Sequence, residues 1–353
     1  MNFPTRLILV TGADGWLGIN LIKALTQGLP DCKSLAQPDP NLKIRCLLLP
    51  GHDPKPLTQL SPNVEIIYGN LCNPHDCEKF CHDATGAILF HTAGIIHPQR
   101  VRQFYAINVQ GSQNLLNAAI ATRIKRAVVV SSNSPCGCNP HINHYFDESS
   151  LYNPYMNYGR SKMQMELLVK AVQESTPLET VIIRPPWFYG PHQPPRQNLF
   201  FKMIRDGKGP LVGSGKNLRS MAYVDNICQG LILAATSKKA NGQTYWIADE
   251  HPYSMEEIIN TVEQLLATEF SQKCQYKRLK LPNYVSEIAL LLDQIIQSLG
   301  LYHPKIHVLS EMNKNIACSV DKARRELGYS PNIDLEEGMR RSLAWIFNNQ
   351  GTL

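Results

Sequence analysis

Tyr158 and Lys162, within Tyr158-Gly-Arg-Ser-Lys162, stand four residues apart, so on a helix both project from one face, where an ammonium favours a neighbouring phenolate. Such a pair is a proton-transfer device. A phenol left alone titrates near ~10, so a positive charge beside it is needed for useful acid/base work. Two other stretches give the pair its context: Thr11-Gly-Ala-Asp-Gly-Trp-Leu-Gly18 near the start and Val130-Ser-Ser-Asn-Ser-Pro-Cys-Gly137 between them.

The elements that must position these residues follow from apolar patterning. Arg6–Thr11 is predicted to be a strand, and Gly12, Gly15 and Gly18 a tight turn into a helix that begins near Trp16 and Leu17. The leading amides and positive dipole end of that helix suit a pyrophosphate. Further strands are predicted at 44–49, 64–68, 87–91, 126–130, 179–183 and 243–247, with helices between them. The result is an α/β fold with a parallel sheet, which binds ligands at its carboxyl edge. Residues 1–184 form the nucleotide-binding domain, with strand and helix returning near 220–250, and residues 185–353 form mainly a substrate lobe. The proline-containing segment 27–41 is expected to be a surface insertion.

The 353 residues are 43% hydrophobic, enough for two lobes. Lys and Arg number 35 against 29 Asp and Glu, but no long basic run accompanies the +6 charge, so nucleic acid is not an expected partner. The ten cysteines lie scattered through apolar segments and read as reduced thiols. Cys72, Cys77 and Cys81 with His75 and His82 match no strong pair of ligand pairs, and no metal is expected. No export signal and no run of ~18 apolar residues are present, which predicts a soluble cytoplasmic protein.

Taken together, the glycine turn, Ser132, Tyr158 and Lys162 resemble the short-chain dehydrogenase/reductase superfamily in its extended branch, the NAD-dependent epimerase/dehydratase and 3β-hydroxysteroid dehydrogenase-like group. Asn108-Val-Gln-Gly-Ser-Gln-Asn-Leu-Leu116 resembles that branch's Asn-Val-x-Gly-x-x-Asn-Leu-Leu. The resemblance spans nearly the whole chain. It implies a Rossmann-type doubly wound parallel sheet with a smaller α/β C-terminal substrate lobe. Tyr158 would be the acid/base, Lys162 its cationic partner, Ser132 a donor to the substrate oxygen, and Asn108 a brace for the lysine. The cofactor would meet Gly12, Gly15, Trp16, Leu17, Gly18, Asn70, Leu71, Thr92, Ala93, Gly94, Ser131, Tyr158, Lys162 and Pro185. Asn70 replaces the acid of the family's Gly-Asp-Leu segment, and an amide still bonds an amino group. His91 is read as a packed core histidine. Leu49 and Pro50 occupy the place of the acid that accepts the ribose hydroxyls, and His52 and Lys55 follow, so NADP or NAD is implied with a lean to NADP.

The same core serves several reactions. A 4,6-dehydratase would need an acid after Ser132, where Asn133 and Ser134 stand. A nucleotide-sugar epimerase with tightly bound NAD gains support from Arg219, placed to meet a diphosphate. It loses support at Trp187, where that group has asparagine. A dehydrogenase exchanging hydride between nicotinamide and a bulky secondary alcohol or ketone draws on His91-Thr-Ala-Gly-Ile-Ile96, Gly215-Lys-Asn-Leu218 and Gly230-Leu-Ile-Leu-Ala-Ala235. It is the favoured reading, with His97, Asn133, Trp187 and Arg219 as substrate contacts. A catalytically silent dinucleotide-binding sensor or scaffold is the third reading.

Further along, Ser254 and Glu257 have capping-box spacing, and Asp334 with Glu337 caps the final helix. The stripe Val285, Ile288, Ala289, Leu292, Ile295, Ile296 and Leu299 predicts a helix that packs on its own protein, and membrane association is not expected. The resemblance also implies a homodimer through the Asn108 and Tyr158 helices, with Leu115, Leu116, Leu167 and Leu168 available.

Overall fold

The computed structural model describes residues 1–353. Strands β1 (Leu7–Thr11), β2 (Lys43–Leu48), β3 (Val64–Tyr68), β4 (Ile88–His91), β5 (Arg126–Val130), β6 (Glu179–Arg184) and β7 (Thr244–Trp246) form one sheet. Its spatial order is β7-β6-β5-β4-β1-β2-β3, and every neighbouring pair is parallel. Strands β4 and β5 are buried throughout, as a sheet covered by helices on both faces requires. The order reverses between β1 and β4, which opens a crevice at their carboxyl ends. The fold is the Rossmann-like α/β sheet expected.

Helix Trp16–Gln27 packs against one face together with Val224–Thr236, which returns from the second half of the chain and precedes β7. One apolar core therefore runs from Ile8 and Val10 of β1 through Leu231 to Met339 and Leu343 of the last helix. The second lobe adds helices Pro195–Arg205, Met255–Thr268, Tyr284–Ser298, Pro304–Glu311 and Leu335–Gln350 with three short strand pairs. Buried Asp249 ties the junction. It accepts from the Tyr189 hydroxyl at 2.7 Å, the Tyr223 amide at 2.9 Å and Asn226 Nδ2 at 2.9 Å.

The caps at Ser254 and Asp334 form as read: each side chain accepts the backbone N–H three residues on, at 3.0 Å. Most of segment 27–41 is exposed or half-exposed, as a surface insertion is, while Leu29, Cys32 and Leu35 anchor it in the core. Gln229 Nε2 donates to Cys32 Sγ at 3.0 Å, and Arg341 pairs with Asp31 at 2.6 Å, so the segment is pinned both to helix Val224–Thr236 and to the last helix. All ten cysteines are free thiols, and burial pushes those of Cys77 and Cys81 up to about 12.

The helix at 284–298 forms, but its orientation reverses the expectation. Ser286, Ala289, Asp293 and Gln297 are buried, while Ile288, Leu292, Ile295 and Leu299 face outward. Leu115 and Leu116 are fully buried against the sheet and unavailable to a partner, whereas Leu167 is half-exposed.

Candidate active site

Helix Met156–Ser175 lies beside β6 and carries Tyr158, Lys162 and Glu166 at successive turns of one face. The Lys162 ammonium is buried and donates to the Val130 carbonyl oxygen at 2.9 Å, at the carboxyl end of β5. Burial lowers it to about 8, with Glu166 opposing the shift. Burial likewise pushes the Tyr158 phenol up to about 12, countered by the neighbouring Ser132 hydroxyl. The lysine is not among the groups that lower the phenol. In the chain alone, the pair therefore holds a phenol O–H beside Ser132, with the ammonium turned towards the backbone.

Ser132 lies in a tight loop where its hydroxyl also reaches Asn133 Oδ1 and Ser134 Oγ, both at 3.3 Å. Gly137, at φ +77°, closes this loop, and a Cβ there would stand 2.3 Å from the Asn153 carbonyl oxygen. Ser131 sits differently from a cofactor contact. Its hydroxyl donates to Glu166 Oε1 at 2.5 Å, and Tyr152 donates to Glu166 Oε2 at 2.8 Å. Arg184 completes the cage around this buried carboxylate, donating to both oxygens at 2.9 and 2.6 Å. Glu166, Tyr152 and Arg184 are not among the site residues expected from the sequence, where Arg184 marks only the passage into the second lobe. The i+4 step from Lys162 to Glu166 was the available signal.

Asn108 occupies a π-helical turn, Ala106–Gly111, inserted in its helix. Its Oδ1 accepts from the Ile95 amide at 2.9 Å, and its Nδ2 donates to the Ile95 carbonyl and to Ser161 Oγ, each at 3.1 Å. It thus braces the loop after β4 and the catalytic helix, without a direct bond to Lys162. A Cβ on exposed Gly94 would lie 3.2 Å from Lys162 Nζ and 3.4 Å from Asn108 Oδ1.

His91 is a buried strut whose protons can be assigned from its neighbours. The Ala93 amide donates to Thr11 Oγ1 at 3.3 Å, leaving the Thr11 hydroxyl to donate to His91 Nδ1 at 2.7 Å. Ser112 donates to the Asn108 carbonyl oxygen at 2.8 Å, so it accepts from His91 Nε2–H, also at 2.8 Å. The imidazole is neutral, and burial lowers it to about 3.

The crevice fits a dinucleotide. Helix Trp16–Gln27 begins at Gly15 with no side-chain cap and no acidic residue in its first turn, leaving the leading amides, including those of Trp16 and Leu17, available to an anion. Gly12 has φ +63°, and a Cβ there would meet the Ala93 Cα at 2.7 Å, while one on Gly18 would meet the Gly12 carbonyl oxygen at 2.1 Å. The Trp16 indole is spent on the Pro191 carbonyl oxygen at 2.8 Å. Thr92 donates to the Thr11 carbonyl oxygen at 2.7 Å. Asn70 is exposed, with Oδ1 accepting from the Cys72 amide at 2.9 Å, and Leu71 and Pro185 are buried. Beyond β2, His52 pairs with Asp14 of the glycine turn.

Around His97, side chains of both halves of the chain meet, and of this group only His97 and Arg219 are expected from the sequence. His97 Nδ1 lies 2.9 Å from the Tyr302 hydroxyl, and Tyr302 meets Phe104 edge-on at 5.3 Å, with Phe104 5.7 Å from the Tyr158 ring. Burial, Arg196 and His307 lower His97 to about 4. His307 goes the other way: burial opposes its charge, but Asp293 at 2.7 Å and Glu311 outweigh it. Glu311 also acts electrostatically on Tyr158, Tyr155 and Tyr302. Tyr155, Arg196, Tyr302, His307 and Glu311 thus join the candidate site. Arg219 is buried and donates to the Glu311 carbonyl oxygen, leaving its Nε without a partner. Trp187 stands apart from this group, on a short strand against Phe200 at 5.8 Å.

The sheet, glycine turn and Ser132–Tyr158–Lys162 set define a Rossmann-type nucleotide-binding protein of the extended short-chain dehydrogenase/reductase kind. The chain belongs to the NAD dependent epimerase/dehydratase family, whose model matches residues 8–248. It is 50% identical over 350 residues to the uncharacterized protein y4nL of Sinorhizobium fredii, covering 99% of this chain and 97% of that one. It is 29% identical over 301 residues to 3beta-hydroxysteroid-dehydrogenase/decarboxylase isoform 1 of Arabidopsis thaliana, covering 80% and 67%. The fold matches that of DesIV, a dTDP-glucose 4,6-dehydratase of Streptomyces venezuelae solved with NAD, with a TM-score of 0.75, 24% identity and 98% of each chain covered.

Proposed function

We propose that this protein is a nicotinamide-dependent oxidoreductase that interconverts a secondary alcohol and its ketone on a bulky, largely apolar substrate, in the manner of a 3β-hydroxysteroid dehydrogenase. The observation that carries the reading is the Tyr158 phenol beside Ser132, on the same crevice as the uncapped glycine turn, with Phe104 against its ring and Tyr302 edge-on to Phe104. The likeness to 3beta-hydroxysteroid-dehydrogenase/decarboxylase isoform 1 supports the apolar substrate, and buried Phe104 and Tyr302 hold the Tyr158 ring in place from behind.

Bound nicotinamide supplies or accepts the hydride at the substrate carbon. The protein's part is the proton. In the reducing direction Tyr158 donates its proton to the substrate oxygen, and in the oxidising direction the phenolate accepts it. Ser132 donates a hydrogen bond to the same oxygen, and Lys162, once its ammonium faces the bound nucleotide, favours the phenolate. NAD is the cofactor proposed. The sequence leaned to NADP, but the Asp14 carboxylate paired with His52 beside the glycine turn would repel a 2′-phosphate.

A nucleotide-sugar epimerase is the second reading, favoured by one observation: the unpartnered Arg219 Nε, which suits a diphosphate. The test denatures the purified protein and quantifies any released nicotinamide nucleotide. An epimerase reuses one cofactor and would carry near-stoichiometric NAD, whereas a dehydrogenase exchanges it and would be largely empty while binding NADH reversibly. A Tyr158→Phe protein with full turnover would contradict the acid/base role of Tyr158 and move the weight to another proton donor.

A further inference from the structure

Helix Tyr284–Ser298 turns its polar side inward. Ser286 donates to the Leu309 carbonyl oxygen at 2.7 Å, Asp293 accepts from His307 at 2.7 Å, and Gln297 accepts from Asn157 Nδ2 at 2.8 Å while donating to Asp293 at 3.0 Å. These buried bonds fix the rotation of the helix, and its apolar side has nowhere to go but out. Tyr284, Ile288, Leu291, Leu292, Ile295 and Leu299 form one stripe, with exposures running from 46% at Leu292 to 71% at Leu299. Val308 of the adjoining helix widens it at 45%. A contiguous apolar face of this kind marks an interaction surface.

The charges around the stripe identify the partner. Lys277 and Lys280 precede its amino end, while Lys305 and the Arg100 and Arg102 segment, which bridges to Leu301, stand at its carboxyl end. All five are exposed, and none forms an ion pair. Glu287, the one carboxylate on the outer part of the helix, is already held by Lys314 and by Asn313 at 3.0 Å. An apolar ridge with unpaired cations at both ends complements an anionic lipid surface. A second copy fits less well: parallel or antiparallel, two such stripes set cations against cations. No helix is long and apolar enough to cross a membrane, and a helix lying in the interface does not need to be.

We infer that the Tyr284–Ser298 helix seats this protein peripherally on an anionic phospholipid bilayer. The inference is independent of the substrate and is read without catalysis. Full-length protein is floated with phosphatidylcholine vesicles and with vesicles containing about one-third phosphatidylglycerol. Expected are binding to the anionic vesicles, weakening in high salt, and a loss of about tenfold or more in Leu291→Gln/Ile295→Gln and in Lys277→Gln/Lys280→Gln/Lys305→Gln. Because these side chains are exposed, the variants should keep the parent's melting temperature. Failure of the parent to bind, or binding unchanged in both variants, overturns the inference. So does a parent dimer in sedimentation that the Leu291/Ile295 variant dissociates, or a variant that unfolds, since either shows the stripe covered by protein.

Discussion

Glu166 and Arg184 form a two-point ion pair inside the protein, with Nε at 2.9 Å from one carboxylate oxygen and Nη2 at 2.6 Å from the other, and neither side chain more than 2% exposed. The pair joins the catalytic helix to β6. Its carboxylate also takes the Ser131 and Tyr152 hydroxyls, so the loop that presents Ser132 is tied to the helix that presents Tyr158.

Breaking one partner of a buried pair leaves the other charge uncompensated, at a cost of about 3–5 kcal/mol. Glu166→Gln should therefore lower stability by several kcal/mol in urea denaturation. It should also depress Lys162 further, because Glu166 is the group that supports its charge. A loss under ~1 kcal/mol would show that the cage is dispensable.

Tyr158→Phe removes the transferable proton while keeping the ring against Phe104. Turnover should fall by about 10²-fold or more, with nucleotide affinity retained in a binding titration. Comparable losses in both would point to a packing role.

Lys162 titrates at about 8 in the free chain, so it is charged below that pH and neutral above it. If its charge helps hold the nucleotide, affinity should weaken as pH rises through about 8. Lys162→Met should bind weakly at every pH, and its affinity should lack that step. A flat profile for the parent protein would exclude a role for the ammonium in binding.

His91 is lowered from 6.5 to about 3, so the unfolded chain takes up its proton first as pH falls. Its contribution to stability is complete above pH 6.5 and is lost as pH falls towards 3. His91→Gln should flatten that part of the stability curve measured by chemical denaturation, and an unchanged slope would place the acid sensitivity elsewhere.

Gly18→Ala would put a Cβ 2.1 Å from the Gly12 carbonyl oxygen, where only backbone can yield. Nucleotide binding should be lost even if the chain stays folded, as judged by circular dichroism. Retained affinity would mean that the helix start is not the anion site.

The sequence by itself determined the parallel sheet, because seven short apolar runs alternate with helices, and the glycine turn, because only glycine tolerates those approaches. It also determined the Tyr158–Lys162 pairing, since a four-residue step on a helix is a local geometric fact. The folded chain decided what depends on distant residues meeting. The Glu166–Arg184 cage joins residues 18 apart, and His97 meets Tyr302 across 205. The outward stripe at 284–299 is the clearest case: periodicity showed that the helix has an apolar side, but not which side faces the protein. Buried hydrogen bonds that Asp293 and Gln297 accept from His307 and Asn157 decided that, because unsatisfied polar groups inside a protein cost more than leucines left at its surface.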